Sequence, residues 1–106
     1  PEDVQRTLVS FTAETVTDAI RNFAPHIKEL RVCGGGAKNP LMISELALLN
    51  PDLLVTTTAD LGVEPQDVEG LAFAWLAYRF DCRETGNLPS ATGASGSRIL
   101  GCLYPA

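Results

Sequence analysis

Apolar positions recur early in the chain at Val9, Ala13, Val16, Ile20 and Phe23, and Leu8, Phe11 and Ala19 widen the stripe. Spacings of three and four put these side chains on one face of a helix. The pattern predicts an amphipathic helix over about Val4–Phe23, ended by Pro25. The period then changes. Ile27–Cys33 alternates loosely and carries Ile, Leu and Val, so it reads as a strand. Pro40–Leu49 reads as a second helix that stops before Asn50-Pro51. Leu53–Thr58 is short, apolar and β-branched, which predicts a second strand. Asp60–Glu64 makes a loop. Pro65 can open a third helix reaching about Phe80, with a stripe of Val68, Leu71, Ala72, Trp75 and Leu76. Gly70 inside it costs ~1 kcal/mol relative to Ala. Residues 83–106 form an irregular tail. Its first part is rich in glycine, proline and small polar residues, and Ile99–Tyr104 is an apolar end able to pack back on the core.

The order helix, strand, helix, strand, helix predicts an α/β fold. Strands separated by one helix are normally parallel and joined by a right-handed crossover. Two parallel strands alone make a poor sheet, because both edges present unpaired N–H and C=O groups. Parallel sheets normally have more strands and covered faces. The chain therefore reads as part of a larger sheet, completed by more of its own protein or by another chain along the sheet edge.

Between the first strand and the second helix lies Val32-Cys-Gly-Gly-Gly-Ala-Lys-Asn-Pro40. Asn39 is a favoured N-cap residue and Pro40 a favoured first helical residue. Glycines at such a turn let a ligand approach the backbone, as nucleotides do in many α/β proteins. A tight strand-to-helix connection needing no ligand is the other reading, and the pattern alone leaves both open. Two phosphate motifs are excluded. Taking Gly34 and Gly36 as the first pair of the dinucleotide fingerprint puts Asn39 where its third glycine belongs. Lys38 lies between Ala37 and Asn39, not in the Gly-Lys-Ser/Thr of the P-loop.

Charge and composition narrow the classes. Thirteen acidic residues against 8 Lys and Arg give a formal net charge of −5. That argues against nucleic acid, which needs a basic stripe. It does not argue against ATP with Mg²⁺. No apolar run is long enough to span a membrane, and Pro1-Glu-Asp-Val4 has no signal-like character. Cys33, Cys82 and Cys102 form no Cys-x-x-Cys pair, so reduced thiols and a cytoplasmic location are expected. Cys33, ending an apolar strand, is expected in the core, and His26 in a solvated loop. One histidine and no cysteine pair leave no expected metal site.

Several blocks, in order, resemble the C-terminal end of the anhydro-N-acetylmuramic acid kinases. They are Val32–Leu41, Val55-Thr-Thr-Thr58, Asp60-Leu-Gly62, Asp67-Val-Glu69, Leu71–Ala77, Gly86–Ser90, Thr92–Ser95, Leu100-Gly101 and Leu103–Ala106. The likeness spans roughly Val4 to Ala106. It implies part of an actin-like (ribonuclease H-like) ATPase domain with parallel strands, from the second lobe of a two-lobed sugar kinase. Such enzymes use ATP, with Mg²⁺, to phosphorylate 1,6-anhydro-N-acetylmuramic acid while water opens the anhydro ring. The product is N-acetylmuramic acid 6-phosphate, in cell-wall recycling. The resemblance makes Gly34, Gly35, Gly36, Ala37 and Asn39 nucleotide-binding candidates on the adenosine side. The family's general base is an aspartate upstream of this region, so no catalytic residue is expected here.

Nor do these residues hold a counterpart of the family's phosphate-binding motifs. Phosphoryl transfer depends on such parts together, so the chain alone is expected to be inactive. Glu69 is expected on the first turn of the third helix, which borders the sugar in the family. The resemblance makes it a candidate for hydrogen bonds to sugar hydroxyls or to the attacking water. Otherwise it is a carboxylate complementing the helix dipole. Asp60 and Asp67 read as loop and capping residues, Lys38 as a loop lysine or a phosphate contact, and Phe73 and Trp75 as core. A homodimer is compatible with the sequence. The competing reading is a non-catalytic actin-like α/β interaction domain that binds a partner through its sheet edge.

Overall fold

A computed structural model describes residues Pro1–Pro105. They form two compact units, Pro1–Val68 and the residues from Glu69 onward.

The first unit opens with α1 (Glu2–Phe23), whose first turn carries Glu2 and Asp3 and whose last turn carries Arg21. These signs complement the helix dipole. Then come β1 (Glu29–Val32), a 3₁₀ turn (Gly35–Lys38), α2 (Pro40–Leu49), β2 (Leu54–Thr57) and a second 3₁₀ turn (Thr58–Leu61). The strands pair in parallel, with Leu30 opposite Val55 and Val32 opposite Thr57. This is the expected α/β arrangement, and its described sheet has only these two strands. The strands are shorter than the apolar runs because Ile27 and Leu53 approach the sheet as coil.

α2 begins where the Asn39-Pro40 pair places it. Asn39 Oδ1 accepts hydrogen bonds from the Leu41 N–H at 3.1 Å and the Met42 N–H at 3.3 Å. These are two of the donors a helix start leaves free. α1 and α2 lock together through a buried polar contact. Asn50 Nδ2 donates to Thr17 Oγ1 and to the Leu46 carbonyl, both at 2.8 Å. Ala13 and Leu46 are the fully buried apolar residues beside it, and an Arg6–Glu45 ion pair at 2.7 Å closes the outer side.

Much of the predicted apolar surface is uncovered. Ala13 lies inside the α1 stripe as expected, but Phe23 is 87% exposed and Leu8 and Phe11 more than half. Thr17, absent from the predicted stripe, is buried instead. Cys33 is exposed and not core, because it has left the strand for the turn and nothing described covers it. His26 is exposed in a turn, as expected.

The second unit holds α3 (Val68–Asp81, its first residue shared with the first unit) and α4 (Pro89–Thr92). α3 starts at Val68, not at Pro65. Pro65 is instead a buried turn residue, and the Asp67 N–H donates to the Glu64 carbonyl at 2.9 Å across it. Proline suits the second position of such a turn as well as a helix start. Phe73 and Trp75 are 64% and 49% exposed, not core, and Arg79 stacks over the Trp75 ring at 5.4 Å. Gly70 is open, with nothing among the described residues within 4 Å of an added Cβ, so no close backbone approach by them explains it. The tail is more ordered than its composition suggests. Asn87 accepts the Arg98 N–H at 2.6 Å and donates to the Gly96 carbonyl at 3.0 Å. Gly101, at φ 111°, lets the last segment approach Phe80 on α3, where an added Cβ would stand 3.4 Å from the ring.

Three stability outcomes follow for the full-length protein in chemical denaturation. Asn39→Ala removes the α2 cap and should cost about 1 kcal/mol, with Asn39→Asp restoring most of it. Asn50→Ala leaves Thr17 Oγ1 buried without its donor and should cost about 1–3 kcal/mol. Arg6→Ala should cost less than about 1 kcal/mol, as exposed pairs do. An Asn50→Ala loss no larger than that of Arg6→Ala would contradict the central role given to the buried contact.

Candidate functional site

Parallel pairing puts the C-terminal ends of β1 and β2 side by side. In open α/β sheets that end is where ligands bind. The glycine turn leaves the sheet here. Its three glycines are not equivalent. Gly34 sits at φ 73°, ψ −165°, a conformation that side chains with a Cβ rarely adopt. Its N–H points inward and donates to the Pro65 carbonyl at 2.7 Å. Gly34 is therefore required by the chain's own geometry.

Gly35 and Gly36 differ. Neither has a positive φ, and a Cβ added to either would meet nothing within 4 Å among the described residues. Among the described residues, nothing in the packing calls for glycine at these two positions. Gly35 and Gly36 are exposed, and their N–H groups have no backbone partner among the described residues. The turn closes behind them, with the Ala37 N–H on the Gly34 carbonyl at 3.2 Å and the Asn39 N–H on the Gly36 carbonyl at 3.1 Å. Ala37 is half-buried and Lys38 exposed. Asn39 ends the turn with Oδ1 committed to capping α2, which leaves its Nδ2 amide as the group available to a ligand.

The structure thus gathers Gly34, Gly35, Gly36, Ala37 and Asn39 on one turn. Glu69 belongs to the second unit, on the exposed first turn of α3. Asp60 lies exposed in the second 3₁₀ turn, and Asp67 exposed just ahead of α3. Beneath the turn, Val16, Val32, Met42 and Leu46 line an apolar groove of about 300 Å³ along β1. Among the described residues no group of three His, Cys, Asp or Glu side chains could hold a metal ion, and no helix is long and apolar enough to cross a membrane.

Sequence reasoning missed Pro65, the acceptor for Gly34. A proline just ahead of an apolar helical stripe looks like a first helical residue. The available signal was Glu64-Pro65-Gln66-Asp67, a proline after one acidic residue and two before another, which also fits a turn.

The family described as Anhydro-N-acetylmuramic acid kinase matches residues 1–106. Proteins named anhydro-N-acetylmuramic acid kinase from Burkholderia pseudomallei (strain 1710b) and Burkholderia thailandensis are each 53% identical over 109 aligned positions, and one from Burkholderia orbicola (strain AU 1054) is 55% identical. In each case the alignment covers 99% of this chain and 28% of the relative. The chain therefore spans about a quarter of the length of these curated relatives. Matched throughout its length, it belongs to the anhydro-N-acetylmuramic acid kinase family.

Proposed function

We propose that this chain is the C-terminal part of the second lobe of an ATP-dependent sugar kinase, and that its glycine turn holds the adenosine side of the nucleotide. The complete enzyme would phosphorylate 1,6-anhydro-N-acetylmuramic acid with opening of the anhydro ring, in the cytoplasm, and release N-acetylmuramic acid 6-phosphate. One observation carries the nucleotide assignment. Gly35 and Gly36 stand open at the C-terminal end of a parallel sheet, with no packing reason among the described residues to be glycine. A ligand lying against the backbone supplies that reason, and their N–H groups fit its polar atoms.

The chain's share in the chemistry is positional. ATP supplies the phosphoryl group and Mg²⁺ screens its charge, and parts of the protein outside this chain would hold the phosphates, the metal and the general base. Phosphoryl transfer relies on such groups acting together in line. Gly35, Gly36 and Asn39 Nδ2 would orient the adenosine, and Ala37 would leave it room. Glu69 would accept hydrogen bonds from the sugar hydroxyls or the attacking water. The large exposed apolar residues of both units, such as Phe23, Leu48 and Leu103, would meet the rest of the kinase, as would the open sheet edge.

The 106-residue chain alone should show no ADP release with ATP and the anhydro sugar. Turnover proportional to its concentration would refute the positional role.

In the complete kinase, Gly35→Val is a clean probe, because this backbone tolerates a Cβ there. It should weaken ATP binding at least about tenfold, or ~1.4 kcal/mol, with little change in melting temperature or sugar affinity. Unchanged ATP affinity by calorimetry would leave the turn purely structural.

Glu69→Gln keeps the shape and removes the charge. Turnover should fall by ~10–1000-fold, which is ~1.4–4 kcal/mol of transition-state stabilisation. Stability should change by less than ~1 kcal/mol. Near-normal turnover would return Glu69 to the role of a dipole-complementing carboxylate.

A further inference from the structure

The glycine turn is held in shape by the loop that leaves the other strand, and both lie in the first unit. Gly34, at φ 73° and ψ −165°, occupies a backbone region open almost to glycine alone. Its N–H donates to the Pro65 carbonyl at 2.7 Å. The loop carrying that carbonyl is itself braced. Gly62, in the left-handed region at φ 78°, ends the second 3₁₀ turn with its N–H on the Ala59 carbonyl at 2.9 Å. The Val63 N–H donates to the Thr58 carbonyl at 3.3 Å. Pro65 is buried, its ring fixes its own φ, and the Asp67 N–H closes a turn around it on the Glu64 carbonyl at 2.9 Å. Gly35 and Gly36 have no such support. They are exposed, and their N–H groups have no backbone partner among the described residues. The plane of the peptide that carries the Gly35 N–H is set by ψ of Gly34, the residue that Pro65 holds.

We propose that Pro65 is a positioning residue for the nucleotide, its carbonyl locking Gly34 so that the Gly35 N–H is aimed before the ligand arrives. This rests on the nucleotide reading above and adds what keeps the turn ready. Pro65 touches no ligand and acts through one hydrogen bond. Three consecutive glycines have more backbone freedom than other residues, and a ligand that had to order them would bind more weakly. The braced loop after β2 orders the first of the three in advance.

The test uses the complete kinase. Pro65→Ala keeps the carbonyl but loses the ring's constraint, and Gly34→Ala disfavours the conformation of the donor. Each should raise KM for ATP about fivefold, the usual worth of one hydrogen bond, and leave KM for the sugar near its original value. The double variant should be little worse than the poorer single, because both act on one bond. A lower melting temperature with KM for ATP unchanged, or equal rises in both KM values, would make the bond merely structural and overturn the proposal. Gly35→Val separates the two claims. If it leaves ATP affinity unchanged, the nucleotide reading fails and the proposal with it. If it weakens ATP while Pro65→Ala and Gly34→Ala do not, the positioning role alone fails.

Should a variant fail to fold, amide hydrogen exchange on the unaltered kinase decides. Without ligand, the Gly34 N–H should exchange at least about tenfold more slowly than those of Gly35 and Gly36. A non-hydrolysable ATP analogue should then slow Gly35 and Gly36 and add little at Gly34. A Gly34 amide that exchanges as fast as its neighbours until the analogue binds would mean that the ligand orders the turn, and would overturn the proposal.

Discussion

The parallel pairing of β1 with β2 is the constraint on which the first unit depends. It aligns Val32 with Thr57, so both strands release their chains at the same end of the sheet. Only because of that alignment can the turn after β1 meet the loop after β2, and only then does the Gly34 N–H find the Pro65 carbonyl. A one-residue slip in register would send the slipped strand's side chains to the opposite face and offset the two exits. Behind the sheet, the Asn50–Thr17 contact keeps α2 against α1 and so holds the helix whose N-cap, Asn39, ends the glycine turn. The candidate site is thus a consequence of backbone geometry more than of reactive side chains. That suits a task of orienting a nucleotide, where backbone N–H groups and close approach matter most.

Regular elements were legible where the local signal was unambiguous. α2 occupies Pro40–Leu49 as its cap pair and apolar run predict, and the β-branched run at Leu53–Thr58 contains β2. The glycine turn was legible as a turn. The differing demands on its glycines were not, since φ at Gly34 depends on Pro65, a contact between distant residues. The same dependence hid Pro65 itself. Its neighbours suit a helix start, and only the parallel sheet makes it an acceptor. α4 was lost in a stretch whose composition is that of a loop, although Pro89 and Gly93 are a fitting first residue and stop for a helix that short.

Burial was the least legible property, and the reason is physical. A periodic apolar stripe says which face seeks cover, not what covers it. Cys33, Phe73 and Trp75 look like core residues on pattern, yet all are exposed in this chain. α3 carries apolar residues around much of its circumference, which is characteristic of a helix enclosed in a larger protein. A two-stranded parallel sheet likewise needs further strands or covered faces. With the alignments reaching only 28% of the relatives, the uncovered surface is what a part of a larger kinase would present.

The central claim is that the glycine turn lies against the nucleotide. Photolabelling of the complete kinase with an azido-adenine ATP analogue tests it directly. Trypsin cuts after Arg31 and Lys38, so the turn is released as the single peptide Val32–Lys38. The account predicts that this peptide, or Asn39 and its neighbours at the start of α2, carries the label, and that excess ATP abolishes it. ATP-protected label confined to peptides outside these 106 residues would contradict the account.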